Sequence, residues 1–300
     1  MMMDERLQRI RDLIQEDIGK RGLATDPEAN LLTEYADDFA AACRSIAEVE
    51  EPTLAIVTGF FIPNAQLGET DGPLGALFLA RALVPLDIHV MLVTDEFCLP
   101  ALKAGLHACH LEMKVPLGTC SLPLPGWLTH LVALERAGPN YDNRCLTMRG
   151  LDITEHMSPA HFLFEAAARE SITTIGIGDG GNEIGMGKIG RDIIGRNIPR
   201  GELVACRVPT DHLIVCGISN WGAYGLAAGV RLLRGESNAG ELFDPEKERA
   251  LLEIMVERGP LVDGVTSRQT ATVDGIDFER YGDKLRQLAN ISVGRVAGEH

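Results

Sequence analysis

Apolar residues recur along this chain in two rhythms. In the opening stretch Leu7, Ile10, Ile14 and Ile18 stand three or four positions apart among Asp, Glu and Arg, the period of a helix with one buried face. Leu31, Leu32, Tyr35, Phe39 and Ala42 extend that spacing, so residues 1–50 read as an N-terminal helical segment. Beyond it the rhythm changes. Residues 54–60, 88–94, 131–134, 173–177 and 213–217 are short, nearly continuous apolar runs, as strands buried on both faces are. Helical stretches alternate with them at 73–82, 100–105, 159–170 and 223–233, and two more follow at 245–258 and 278–289. Pro73 and Pro159 suit a first helical turn, and Ser158 is placed to cap the second of these helices. The alternation predicts an α/β fold, a mainly parallel sheet flanked by helices, three-layered and Rossmann-like, with helical N- and C-terminal segments. No low-complexity linker divides the chain, so residues 1–50 are expected to join residues 51–300 in one domain. The strings VDGV (262–265) and VDGI (273–276) echo each other and read as turns, since Asp-Gly favours them.

Composition narrows the function classes. The chain has 300 residues, 45% of them apolar, and a formal net charge of -15. That charge opposes binding to a phosphate backbone, and no basic cluster with interleaved aromatics overrides it, so nucleic acid is not expected as a partner. No apolar stretch approaches the roughly 18 residues needed to span a bilayer, so no membrane association is expected either. Seven scattered cysteines without a Cys-x-x-Cys pair fit a reducing compartment. The amphipathic start lacks the form of a signal peptide, and a cytoplasmic location is the expectation. The segment HACH (107–110) has no second pair at zinc-ligand spacing and reads as structural, as do His156 and His161.

Candidate chemistry gathers in glycine-bearing loops behind predicted strands, where open parallel sheets collect their ligands. The run GIGDGGNEIGMGKIG (176–190) holds seven glycines around Asp179, Asn182 and Glu183; the run GETDGPLG (68–75) carries Glu69, Thr70 and Asp71; a third, ISNWGAYG (218–225), contains Asn220. Gly176, Gly178 and Gly181 match Gly-x-Gly-x-x-Gly formally, but no acidic residue follows on a second strand about twenty positions later, which argues against a dinucleotide. A phosphate-binding P-loop fails as well, because Asn182 and Ile189 stand where glycine and Ser or Thr belong. No Gly-x-Ser-x-Gly elbow is present.

What remains is carboxylate chemistry by Glu69, Asp71, Asp179 and Glu183. Such groups repel when brought together, so one must keep its proton or a cation must sit among them. A protonated carboxyl serves as general acid or base. A hard divalent ion, magnesium or manganese, would take Asp71, Asp179 and Glu183 as ligands. Asp71 is also placed to cap the helix after Gly72. Glu135 and Arg136 follow the run at 131–134 and would present an acid and a guanidinium at a strand end, or a surface ion pair. Arg149 and Asp152 form a similar polar patch.

Three strings, TGFFIP (58–63), ETDGPLGA (69–76) and GIGDGGNEIGMG (176–187), resemble signatures of the D-glutamate cyclase-like C-terminal domain family, with similarity over roughly residues 50–290. The resemblance implies a lyase interconverting D-glutamate and 5-oxo-D-proline plus water, hence a small carboxylate substrate and a link to D-amino-acid metabolism. Lactam formation needs a base for the amine and an acid or Lewis acid at the γ-carboxylate. Glu183 or Asp179 would serve as base or metal ligand, with Asp71 and Glu69 completing the cluster. Lys188, Arg136 or the helix start after Gly72 would hold the substrate's α-carboxylate, with Thr70, Gly180, Asn182 and Asn220 as further contacts. The alternative is a regulatory domain that binds a nucleotide or phosphorylated metabolite on loop N–H groups, without turnover. A homodimer is the default expectation for a soluble enzyme.

Overall fold

A computed structural model describes residues 2–120, 125–236 and 242–293. Its centre is a six-stranded parallel sheet formed by β1 (Thr53–Thr58), β4 (His89–Thr94), β5 (Leu117–Thr119), β6 (His130–Leu134), β7 (Thr173–Gly178) and β8 (His212–Val215). Their order across the sheet is β5-β4-β1-β6-β7-β8. Counted within this sheet alone, that is 3-2-1-4-5-6, the doubly wound order whose direction of winding reverses between β1 and β6. A short antiparallel hairpin, β2 (Phe61–Ile62) with β3 (Leu67–Gly68), is inserted between β1 and the first crossover helix.

The strands are apolar at consecutive positions because both faces are covered. Leu54 and Ile56 of β1, with Val132 and Leu134 of β6, point into one core. Ala55, Val57, Leu131 and Ala133 point into a second. The first core is closed by α3 (Pro73–Leu83), α4 (Leu99–Ala108), α8 (Ser219–Leu233), α9 (Pro245–Arg258) and α10 (Phe278–Ser292). The N-terminal helices α1 (Met3–Ile14) and α2 (Asp38–Ala47) add Leu7, Ile10, Ile14, Phe39 and Ile46 to that same core. The second face is covered by α5 (His161–Ala167), by α6 (Arg191–Asn197), and by the loops around Leu23 and Leu31. A four-residue helix, α7 (Gly201–Val204), follows α6. The three-layer α/β architecture is therefore the one the hydrophobic rhythm predicts.

Several local expectations are corrected. The run at 54–60 is not one strand: β1 stops at Thr58, Gly59 turns at φ 113°, and Phe60 leads into the hairpin. Ser158 does not cap α5, whose N-cap is Ala160, and the Ser158 carbonyl accepts from Arg136 instead. The segment 218–225 is not a loop, since α8 begins at Ser219. Its glycines hide a helix because they serve packing: a Cβ on Gly222 would meet Ile177 Cγ2 at 2.5 Å and Cys216 Sγ at 2.7 Å.

The two helices that enter the sheet's reversal point cap each other. Asp71 accepts from the backbone N–H groups of Ser219 (2.9 Å) and Asn220 (2.8 Å), the first turn of α8. Asn220 returns the favour to α3, its Oδ1 accepting from Gly72 N and Gly75 N, both at 2.8 Å. Asp71 was expected to cap its own helix; it accepts from Gly72 N at 3.0 Å but chiefly serves α8. Gly72, at φ 94°, has no room for a side chain, because a Cβ would meet Thr58 Oγ1 at 2.7 Å and Glu135 Cβ at 2.9 Å. Losing a buried cap leaves N–H groups without acceptors. Asn220→Ala is therefore expected to lower stability by about 2–4 kcal/mol in urea denaturation, with an exposed change such as Asp142→Asn near neutral.

Candidate active site

The carboxyl ends of the strands at the reversal point each deliver one or more acids. The connection after β1 brings Glu69 and Asp71, the residue after β6 is Glu135, and the residue after β7 is Asp179. Asp274 arrives from the second Asp-Gly turn, with φ 55°. All five are buried. One oxygen from each of Asp71, Asp179 and Asp274 lies within 4.8 Å of the others, and Glu135, Asp179 and Glu183 form an overlapping set on the same criterion.

Arg21, from the loop between α1 and α2, is the cation set among them. Its guanidinium donates to Asp179 Oδ1 and to Asp274 Oδ2, each at 2.6 Å. Asp17 holds that loop in shape by accepting from the backbone N–H groups of Arg21, Gly22 and Leu23. Ser219 Oγ donates to Glu135 Oε2 at 2.5 Å. The other Asp-Gly aspartate, Asp263, binds the turns together, accepting from Val265 N, Thr266 N, Thr272 Oγ1 and Gly275 N.

One guanidinium does not neutralise five carboxylates, and burial makes the excess costly. Burial, with Asp274 and Asp71 close by, holds the Glu69 carboxyl well above the usual carboxylate range. Burial, then Asp274, pushes Asp71 up to about 7 against the pull of the Asn220 and Ser219 N–H groups. Glu135 is raised by burial and by its acidic neighbours Glu183 and Asp71. Asp179 is raised by burial in spite of Arg21. Arg21 in turn keeps its proton more tightly than a free arginine, since Asp179 and Asp274 outweigh its own burial.

Glu69, Glu135, Asp274, Arg21 and Asn182 line a cavity of about 370 Å³. Phe60, Ile62, Met148, Leu151 and Val265 supply its apolar wall, and Lys20 and Arg149 stand at its basic positions. The cavity thus lies at the reversal point, where doubly wound sheets bind their ligands.

The sequence candidates divide in this geometry. Glu69, Asp71 and Asp179 come together. Glu183 lies beside them, but its carboxylate is enclosed by its own loop, Oε1 accepting from Asp179 N (3.0 Å) and Gly180 N (2.7 Å) and Oε2 from Gly181 N (2.7 Å). The N–H groups expected to meet an outside anion, that of Gly180 among them, thus already have one. Asn182 reaches the cavity while its Nδ2 donates to Leu146 O. Thr70 Oγ1 donates to Thr272 O, and the polar atoms of Gly72 and Asn220 are engaged in the reciprocal caps. Arg136 is not among the cavity residues: it is buried against Asp95 (2.5 Å), Gly59 O and Ser158 O. Lys188 is also elsewhere, paired with Asp38 at 2.5 Å over the Tyr35 ring. Arg149 lies at the cavity, whereas Asp152 is exposed and accepts from Thr154.

The motif pattern alone marks neither Arg21 nor Asp274 as a site residue. The signal for Asp274 was present in the repeated Val-Asp-Gly string; for Arg21 it was the polar break GKRG (19–22) after an amphipathic helix.

The raised carboxyls make stability depend on pH in a defined direction. A group that binds its proton more tightly folded than unfolded stabilises the fold below its unfolded pKa and loses that contribution as pH rises through its folded pKa. For Asp71 the window runs from its ordinary 3.8 to about 7. With chelator present, the urea midpoint is expected to fall between pH 5 and pH 8. Glu69→Gln, which removes one charge from the crowd, is expected to raise the midpoint at pH 8 more than at pH 5.

Comparison with known proteins places this geometry among relatives. The chain is 28% identical, over an alignment of 340 residues, to a Homo sapiens protein named "D-glutamate cyclase, mitochondrial", covering 97% of this chain and 53% of that protein. It thus spans about half the length of the curated relative it matches. Residues 10–289 match the family described as D-glutamate cyclase-like, C-terminal. The match takes in the last residues of α1, the Arg21 loop, every strand of the sheet and both Asp-Gly turns, and on that extent this chain belongs to the D-glutamate cyclase-like C-terminal family.

Proposed function

We propose that the cavity interconverts D-glutamate and 5-oxo-D-proline plus water, as a lyase of the type its human relative is named for. The observation that carries this reading is the cavity floor, where the acids Glu69 and Glu135 face the same space as the Arg21 guanidinium. The substrate's amino group is cationic at neutral pH and suits the two glutamates, while its α-carboxylate suits Arg21, with Lys20 beside it.

In the forward direction the amine nitrogen forms a bond to the γ-carboxyl carbon and one carbon–oxygen bond of that carboxyl breaks. The ammonium group gives up two protons: the first passes to the γ-carboxylate, making it the neutral acid, and Glu69 takes the second as nitrogen bonds to carbon, later returning it to Glu135. Glu135, steadied by Ser219, supplies the proton that lets the departing oxygen leave as water. The reverse reaction adds that water to the lactam carbonyl. Both directions use one proton on the glutamate pair, which repulsion between neighbouring carboxyls supplies. Asp71 and Asp179 act beneath this pair, by fixing α8 and Arg21.

The nucleotide or phosphometabolite alternative has less support. A loop that binds phosphate needs open N–H groups, and Glu183 occupies three of them in the glycine-rich loop. Among the described residues no helix is long and apolar enough to cross a membrane. All seven cysteines are unpaired, which supports a reducing compartment; we take this as the cytoplasm, although the human relative's name places that protein in the mitochondrion.

Chiral chromatography of the protein incubated with D-glutamate, and separately with 5-oxo-D-proline, tests the assignment, with the L-enantiomers as controls. Stereoselective interconversion is expected. Glu69→Gln should reduce it by about 100-fold or more, as loss of a general base does, and Arg21→Gln should raise KM as well as lower kcat. Full turnover in Glu69→Gln would remove that residue from the chemistry, and absence of turnover in the unaltered chain would remove the reaction.

A further inference from the structure

The charge imbalance at the cavity floor and one unpartnered atom lead to a cation. Asp179 is fully buried. Its Oδ1 accepts from Arg21, yet its Oδ2 has no hydrogen-bond partner. Among the described residues it is the buried carboxylate oxygen left in that condition. A fully buried carboxyl oxygen without a partner is costly whether the group is ionised or carries its proton, and it persists where something else completes it.

The surroundings fit a hard metal ion. Asp179 belongs to both sets of converging oxygens, one with Asp71 and Asp274 and one with Glu135 and Glu183. In an octahedral ion with bonds of about 2.1 Å, ligand oxygens stand about 3 Å apart when adjacent and about 4.2 Å when opposite. The Asp71, Asp179 and Asp274 oxygens lie within 4.8 Å of one another, so they span such a sphere with a small inward movement. All three are carboxylates, the ligands that suit magnesium and manganese rather than a soft metal. Arg21 grips Asp179 and Asp274 through one oxygen each, which fixes the two carboxylates relative to each other and leaves the second oxygen of each available. Asp274 lines the cavity, so an ion has a route in from solvent.

We propose that Asp71, Asp179 and Asp274 bind one divalent cation, magnesium or manganese, with Arg21 as the fixed counter-charge beside it. Three aspartates, one guanidinium and one divalent ion leave this group with no net charge. Asp71 and Glu183 each accept three backbone N–H bonds, so the choice between the two sets rests on Asp274, which Arg21 fixes against Asp179 and which belongs to the Asp71 set. Binding of the ion stands without the lactam reaction; only its catalytic consequence rests on that reading. There the ion would offset the repulsion between a dicarboxylate and an acidic floor and draw electrons from a bound carboxylate oxygen.

Manganese alone is the probe. Chelator-stripped protein is titrated with Mn²⁺, and the free ion is followed by its electron paramagnetic resonance signal, which bound ion loses. One site is expected, with a dissociation constant below about 1 mM. Asp179→Asn and Asp274→Asn should each weaken it by roughly tenfold or more, with circular dichroism verifying the fold, while the exposed Asp142→Asn should leave it unchanged. Asp274 sits in a turn rather than in the sheet, so its variant keeps the test open if Asp179→Asn fails to fold. Absence of saturable binding, or binding indifferent to both variants, overturns the proposal. Mn²⁺ binding without conversion of D-glutamate or 5-oxo-D-proline supports the ion site and sinks the lactam reading; turnover by stripped protein that binds no Mn²⁺ does the opposite.

Discussion

The reciprocal caps between Asp71 and Asn220 hold the rest of this structure in place. Each of α3 and α8 begins with N–H groups that no intrahelical carbonyl can reach, and both beginnings are buried at the reversal point of the sheet. Water cannot serve them there, so each helix borrows an acceptor from the other. The exchange fixes more than two helices. It fixes Asp71 with both oxygens engaged, and it places Ser219 where its hydroxyl can hold Glu135. The two helix starts also point partial positive charge at this region, which offsets some of the cost of collecting acids in it.

Each acid is then supported differently, and the support decides what the group can do. Glu183 has three N–H donors and belongs to the loop. Asp71 has three as well and belongs to the helices. Asp179 and Asp274 share Arg21, which leaves each with an oxygen to offer. Glu69 and Glu135, like Asp274, line the cavity itself. On the proposed reading the groups pass, moving outward, from architectural to reactive. This gradient accounts for so many acids being tolerated together: hydrogen bonds fix the inner ones, and on the proposed reading the outer pair shares a proton.

Much of this was legible in the sequence because both signals are local. Continuous apolar runs such as 173–177 require a sheet covered on both faces, and the glycine-bearing loops behind them carried Glu69, Asp71 and Asp179 to one place. What escaped depends on distance along the chain. Arg21 meets Asp274 across 253 positions, and neither residue's own neighbourhood indicates a partner. The start of α8 was hidden for another reason: Gly222 and Gly225 lower helix propensity, while their lack of side chains is what allows α8 to lie against Ile177 and Ile14. Lys188 and Arg136 looked like substrate-binding cations, because charge is visible in a sequence and its partner is not. Asp38 and Asp95 had already claimed them.

The glycine-rich loop after β7 shows how the doubly wound sheet has been turned to a different chemistry. In a nucleotide-binding sheet of this strand order, loop N–H groups and helix starts at the reversal point hold a phosphate that comes from outside. Here the anions are part of the chain. Glu183 occupies the loop N–H groups of residues 179–181, and Asp71 occupies those at the start of α8. With its positive features answered internally, the corner presents negative charge to the cavity and calls for positive charge in return. Arg21 supplies one part, and a substrate ammonium group or a metal ion can supply more. On the proposed reading a corner that ordinarily selects anions here selects cations, and an amino acid with an amine to deprotonate and a carboxyl to activate suits it.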